Sequence, residues 1–270
     1  MPIERGLART SAGHIHYRTA GPAIGQAQAV MLFHINQQSS ALMIELIEAL
    51  APHCRPIAID YPSHGDSDHV ARQPSINDYA RCAVEVMDQL GVASAVAMGE
   101  AVGAAVATAL AGDFPQRIDK VVLMNCPFST EPGRLGAHAR ELQEGLRPAD
   151  ATGFPLTRTL EFVLEKDARA APLHPTQSWM DRSNQAQIEA GRDRWQAITA
   201  LAAFDMGAAL RRIACPTLLL SGEHFYYDRY RQDVLALVPD IRAEVIPGGR
   251  FGMSWEHAET IARRTIAFLG

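Results

Sequence analysis

Six short stretches of the chain are almost wholly apolar: 29–34 (AVMLFH), 55–60 (RPIAID), 95–99 (AVAMG), 120–125 (KVVLMN), 217–222 (TLLLSG) and 242–247 (RAEVIP). Runs of this length without apolar–polar alternation predict strands of a parallel sheet covered on both faces. Longer stretches with helical periodicity separate them, at 41–50, 76–90, 102–112, 229–237 and 258–269, and Ser75 or Asn77 is placed to open the second. Strand and helix in alternation predict an α/β architecture with a mostly parallel sheet and helices on both faces. Residues 14–19 (HIHYRT) alternate enough to be an edge strand. From Phe128 to Phe204 the rhythm breaks: helix signal and loop, punctuated by Pro132, Pro148, Pro155, Pro172 and Pro175, with no strand pattern. That segment predicts an inserted helical lid over 128–205, between core portions 1–127 and 206–270.

Composition narrows the function classes. The 270 residues are 47% hydrophobic and 20% charged with a net charge of −5, as for a globular chain able to bury a large core. That balance, with no basic run, gives nucleic acid or an anionic membrane surface no purchase. Cys54, Cys82, Cys126 and Cys215 are scattered and form no metal-ligand spacing, and His14-x-His16 reads more simply as a surface pair than as a metal site. No apolar run approaches the ~20 residues of a membrane span, and no leader pattern opens the chain. The expectation is a cytoplasmic protein without metal or nucleotide cofactor, its oligomeric state open.

The chemistry-bearing motif is Gly99-Glu100-Ala101-Val102-Gly103, between the apolar run at 95–99 and a small-residue helix. It has the form G-x-S-x-G, a strained strand-to-helix turn that exposes its central residue. Here that residue is alanine. Four further motifs point the same way. Phe33-His34-Ile35-Asn36 is similar to an oxyanion loop H-G-x-x, and Asp60-Tyr61-Pro62-Ser63-His64-Gly65-Asp66-Ser67 matches D-x-P-G-H-G-x-S. Cys215-Pro216-Thr217 through Gly222-Glu223 is similar to C-P-T-L-x-x-x-G-E, and Ile246-Pro247-Gly248 leading into Glu256-His257 resembles I-P-G-x-G-H … E-H-P-E. In this order the motifs resemble the α/β-hydrolases of the lidded esterase and C–C-hydrolase type.

The resemblance implies positions for a Ser-Asp-His triad, and these fall on Ala101, Phe225 and Phe251, with Ile35 where a glycine usually stands in the oxyanion loop. A triad works as a unit, so acyl-enzyme chemistry is not expected. Two aromatic rings at the former acid and histidine positions imply a dry centre, closed or shaped for an apolar ligand. The candidate proton-transfer groups are Glu100, beside the elbow, His34, and Tyr226 on the loop after the fifth apolar run. Ala101, Phe225, Phe251, Ile35, Asn36, Arg250 and Tyr227 are the candidate ligand contacts. Gln37 and Gln38 share the loop with Asn36, and Trp179 and Trp195 are placed to roof the cleft. The reading expected first is a cofactor-free, non-hydrolytic enzyme (lyase, decarboxylase, isomerase or cyclase) acting on an apolar small molecule. A non-catalytic binding protein and a hydrolase with a rearranged active site stand as alternatives.

Overall fold

The computed structural model describes residues 1–145 and 176–270. Its frame is one eight-stranded sheet: β1 (Glu4–Thr10), β2 (Gly13–Thr19), β3 (Ala29–Phe33), β4 (Arg55–Ile59), β5 (Ala95–Glu100), β6 (Ile118–Met124), β7 (Thr217–Gly222) and β8 (Ile241–Ile246). They lie in the order β1-β2-β4-β3-β5-β6-β7-β8. The β1–β2 and β2–β4 pairs are antiparallel and the remainder parallel.

The sheet is apolar on both faces because both are covered. Along β3, Met31 and Phe33 join one core while Val30 and Leu32 join the other, and β5 divides Ala95 and Ala97 from Val96 and Met98 in the same way. The first core is closed by α2 (Ile76–Leu90) and α3 (Val102–Asp113), the second by α1 (Ile44–Leu50) and α10 (Ala258–Leu269). Helix α2 begins where Ser75 and Asp78 form a reciprocal capping box, and ends on Gly91 in the left-handed conformation. Helix α3 is rich in alanine and buried nearly all round, so small side chains let it lie close between sheet and neighbours.

Between β6 and β7 lies the helical lid, containing α4 (Arg134–Gly145), α5 (Gln177–Ala190) and α6 (Gln196–Ala202), followed by α7 (Met206–Leu210). Residues 146–175, with Pro148, Pro155, Pro172 and Pro175, fall outside the described residues. The lid is tied to the core at particular points. Trp179 stacks on Trp255 at 4.5 Å between centroids, Gln38 donates to Ser183 Oγ at 3.0 Å, and Arg182 pairs with Glu45. The last two helices are α8 (Arg231–Leu237) and α9 (Met253–Glu256).

Two local expectations change, and one strand is unannounced in the sequence. Strand β1 has no apolar run to announce it and leaves Leu7 60% exposed. It is held by seven paired positions on β2, backbone pairing that needs no hydrophobic pattern. Strand β2 is therefore interior, not an edge. Residues 226–230 form a 3-10 turn, and the helix proper starts at Arg231. Among the described residues no helix is long and apolar enough to cross a membrane.

Candidate functional site

The elbow keeps its geometry with alanine in place. Ala101 has φ 52° and ψ −110°, a conformation that costs a side-chain-bearing residue about 1–3 kcal/mol. The flanking glycines are obligatory on steric grounds. A Cβ on Gly99 would lie 2.2 Å from the Gly103 carbonyl oxygen, and one on Gly103 would lie 2.1 Å from that of Phe33. The turn thus places Ala101 at the head of α3, where the first backbone N–H groups have no partner within the helix.

Above it is a cavity of about 390 Å³. Ile35, Asn36, Ala101, Phe225, Tyr226, Tyr227, Arg250 and Phe251 all line it, so residues far apart in sequence meet at the carboxyl ends of the strands. The two phenylalanines do not fill it. Phe251 is 44% exposed and Phe225 is partly so. Of the two lid tryptophans, Trp179 lines the cavity and Trp195 does not.

Glu100 and His34 are not among the lining residues. Glu100, the last residue of β5, is fully buried on the other side of the elbow. Its Oε1 accepts from Asn125 Nδ2 at 2.9 Å and from the backbone N–H groups of Gly252 and Met253 at 2.7 and 3.0 Å. Its Oε2 accepts from the Ser254 N–H at 3.0 Å. The carboxylate thus sits at the N-terminus of α9 and pins the loop that carries Phe251. Asn125 completes the knot, donating also to the Arg250 carbonyl and accepting from the Gly222 N–H. Glu100 is a strut, its carboxylate engaged by four donors.

His34 is likewise satisfied. Its Nδ1 bonds the Ile35 carbonyl at 2.7 Å, its Nε2 faces the Tyr61 N–H, and its ring packs on Tyr61 at 4.0 Å. Burial, aided by neighbouring His64, lowers its pKa to about 4. It remains a neutral bridge beneath the loop, unsuited to proton shuttling near neutrality.

Both tyrosines line the cavity. Tyr226 is exposed, with its hydroxyl accepting from Arg229 at 2.9 Å and the Arg134 and Arg229 guanidinium groups over its ring. Burial pushes the Tyr227 hydroxyl up to about 12, far from proton transfer at neutral pH. Arg250 is buried and makes a two-point contact with Glu256, from Nε at 3.0 Å and Nη2 at 2.9 Å. It lines the cavity with its charge already matched.

Sequence reasoning missed His138, Ser183 and Trp255, all of which line the cavity. His138 is half-buried on α4, with Nδ1 3.7 Å from Glu141 Oε2, and its ring is packed against Tyr226 and Tyr227. Burial lowers its pKa, opposed in part by Glu141, so the imidazole is neutral at pH 7. No motif marks it. An i, i+3 His–Glu pair on a lid helix looks like ordinary surface patterning. Elsewhere the ligand atoms of His16, Asp60 and Asp66 lie within 4.8 Å of one another, where Asp60 bonds His16 at 2.8 Å and Arg5 and Arg18 reach Asp66.

A family model described as the alpha/beta hydrolase fold matches residues 28–257. The 2-hydroxy-6-oxo-6-phenylhexa-2,4-dienoate hydrolase of Burkholderia cepacia is 26% identical over 98% of this chain and 93% of its own length. The 2-hydroxy-6-oxononadienedioate/2-hydroxy-6-oxononatrienedioate hydrolase of Cupriavidus pinatubonensis is 27% identical, covering 80% of this chain and 76% of that protein. Among solved structures, the enol-lactonase from Burkholderia xenovorans LB400 superposes with a TM-score of 0.78 at 21% identity, covering 98% of this chain and 99% of that one, a likeness of fold. The expectation of a non-hydrolytic lyase, decarboxylase, isomerase or cyclase is corrected by these relatives, which are named as hydrolases.

Proposed function

The chain belongs to the α/β-hydrolase fold family, and we propose that it is a small-molecule hydrolase with a rearranged active site, in which water attacks the substrate directly. The observation that carries this reading is His138, a neutral imidazole on the wall of the cavity that stands over Ala101, with a carboxylate behind it. A neutral imidazole at the cavity wall is a general base able to activate a hydroxyl nucleophile, and Glu141, itself paired with Arg134, lies 3.7 Å from its Nδ1. Here the lid helix supplies it from one turn of α4, and the hydroxyl belongs to water.

The steps follow from that placement. A water oxygen bonds to the substrate carbonyl carbon while His138 takes its proton, with Glu141 favouring the imidazolium that forms. The proton then passes to the departing carbon or oxygen as its bond to the carbonyl carbon breaks. The backbone N–H groups opening α3 face the developing oxyanion. Substrates of this kind are apolar carbonyl compounds, since Ile35, Phe225, Phe251 and Trp255 make up much of the wall.

The test is turnover of a carbonyl panel that includes 4-nitrophenyl acetate and 2-hydroxy-6-oxo-6-phenylhexa-2,4-dienoate, the compound named for the Burkholderia relative. Hydrolysis should persist after treatment with a serine-directed phosphonate. His138→Gln should lower kcat on the order of 100-fold or more, while His224→Gln, at the exposed rim, should leave it largely intact. Phosphonate labelling with loss of activity, survival of activity in His138→Gln, or no turnover across the panel would each overturn the reading.

A further inference from the structure

Gln37 and Gln38 follow Asn36 on the loop after β3, and both line the cavity at 5% and 6% exposure. Gln37 adopts φ 61°, a left-handed conformation that glycine or asparagine takes more readily. A long amide thus occupies a backbone position that does not favour it. Its buried Nε2 has no hydrogen-bond partner. In Gln38 the Nε2 is engaged by Ser183 Oγ, and the buried Oε1 has no partner. Buried polar atoms are nearly always paired. Two consecutive exceptions, one a donor and one an acceptor, with the likewise unpaired Tyr227 hydroxyl on the same wall, point to a ligand that completes them.

Charge narrows that ligand. Among the described residues no aspartate or glutamate lines the cavity, and the Arg250 guanidinium is matched by Glu256. A cationic group would meet no carboxylate, and an anionic one would meet a cation already paired. A donor beside an acceptor is complemented by an uncharged carbonyl with an N–H or O–H next to it.

We propose that Gln37 and Gln38 are the polar recognition end of the cavity, holding a neutral carboxamide or enol-carbonyl group of a ligand whose apolar body lies over Ala101 between Phe251 and Trp255. The carbonyl oxygen accepts from Gln37 and the adjoining N–H or O–H donates to Gln38. This rests on the reading of the cavity as the substrate site, but not on any rate.

Binding of three shape-matched probes tests it by calorimetry on the full chain: 2-naphthamide, 2-naphthoate and 2-isopropylnaphthalene. Naphthamide should bind the most tightly. Gln37→Asn keeps an amide and tolerates the left-handed backbone but withdraws the group by one methylene. It should weaken naphthamide by about 5- to 30-fold and change isopropylnaphthalene by less than about twofold. No preference for the amide (including no measurable amide binding), tighter binding of the naphthoate, or equal weakening of all probes in Gln37→Asn would overturn the proposal. Because the readout is affinity, an intact amide preference without turnover refutes the hydrolase alone. Turnover without the preference refutes the recognition role alone.

Discussion

Replacing Glu100 by glutamine separates a buried strut from a catalytic acid. The native carboxylate offers two oxygens to four donors: Asn125 Nδ2 and the N–H groups of Gly252, Met253 and Ser254. Glutamine turns one of those oxygens into an NH2. In the cheaper orientation the NH2 faces Ser254, so one backbone N–H loses its acceptor and one NH2 group, with two N–H donors, is buried without any. In the other orientation three donors lose theirs. Each unsatisfied buried group costs about 1–3 kcal/mol. Loss of the negative charge at the start of α9 adds several tenths. Glu100→Gln should therefore lose about 3–5 kcal/mol, a large part of the 5–15 kcal/mol typical of a domain. Urea denaturation at pH 7.5, followed by tryptophan fluorescence, measures it, since Trp255 adjoins the pinned segment. At low temperature, activity per folded molecule should stay near that of the wild type. A variant within about 1 kcal/mol of wild type would refute the strut, and one that folds normally but cannot turn over would return Glu100 to catalysis.

Two other outcomes follow from the same physics. Ala101→Gly relieves a left-handed conformation worth about 1–3 kcal/mol and adds about 0.5–1 kcal/mol of chain entropy cost. It should raise stability by about 1 kcal/mol, and a loss of that size in thermal or urea unfolding would show the elbow to be unstrained. Acid should destabilise the fold through His34, which takes a proton near pH 6.5 when unfolded but only at about 4 when folded. The unfolded chain binds the extra proton between those values, so stability declines as pH falls from 6.5 to 4 and this contribution is constant below. Its full size is about 3 kcal/mol, and His64, also lowered by burial, acts in the same sense. A flat unfolding free energy between pH 6.5 and 4.5, or an unchanged slope in His34→Asn, would contradict the assignment.

The scaffold was legible in the sequence because its rules are local. A run such as TLLLSG must be covered on both sides, and the small residues between Gly99 and Ala111 are needed wherever a helix crosses a strand at backbone contact. The elbow likewise announces itself, because its glycines answer to steric distances near 2 Å that no side chain can meet. What escaped was the part decided by pairing. Strand β1 is charged and half-exposed, and is a strand only because β2 offers it a ladder. The α2 capping box could be anticipated from Ser75, but no pattern reveals that Asn125 will tie β5, β7 and the loop after β8 together.

The site was half legible for a related reason. Motif positions identify where the carboxyl ends of the strands converge, and Ala101, Phe225 and Phe251 do converge on one cavity. They do not say which polar groups point into it. Glu100 and Ala101 are neighbours in sequence, yet the strained turn sends one to the cavity and the other to the α9 N-terminus, so adjacency misleads at the point where the backbone is most sharply bent. His138 and Ser183 come from the lid, where nothing in the spacing distinguishes a wall residue from a solvated one. Under the proposed reading the polar group at the centre comes from the lid, as His138 of α4. On this fold, then, alanine at the elbow excludes a serine acyl-enzyme at that position and leaves hydrolysis by a base on α4 open.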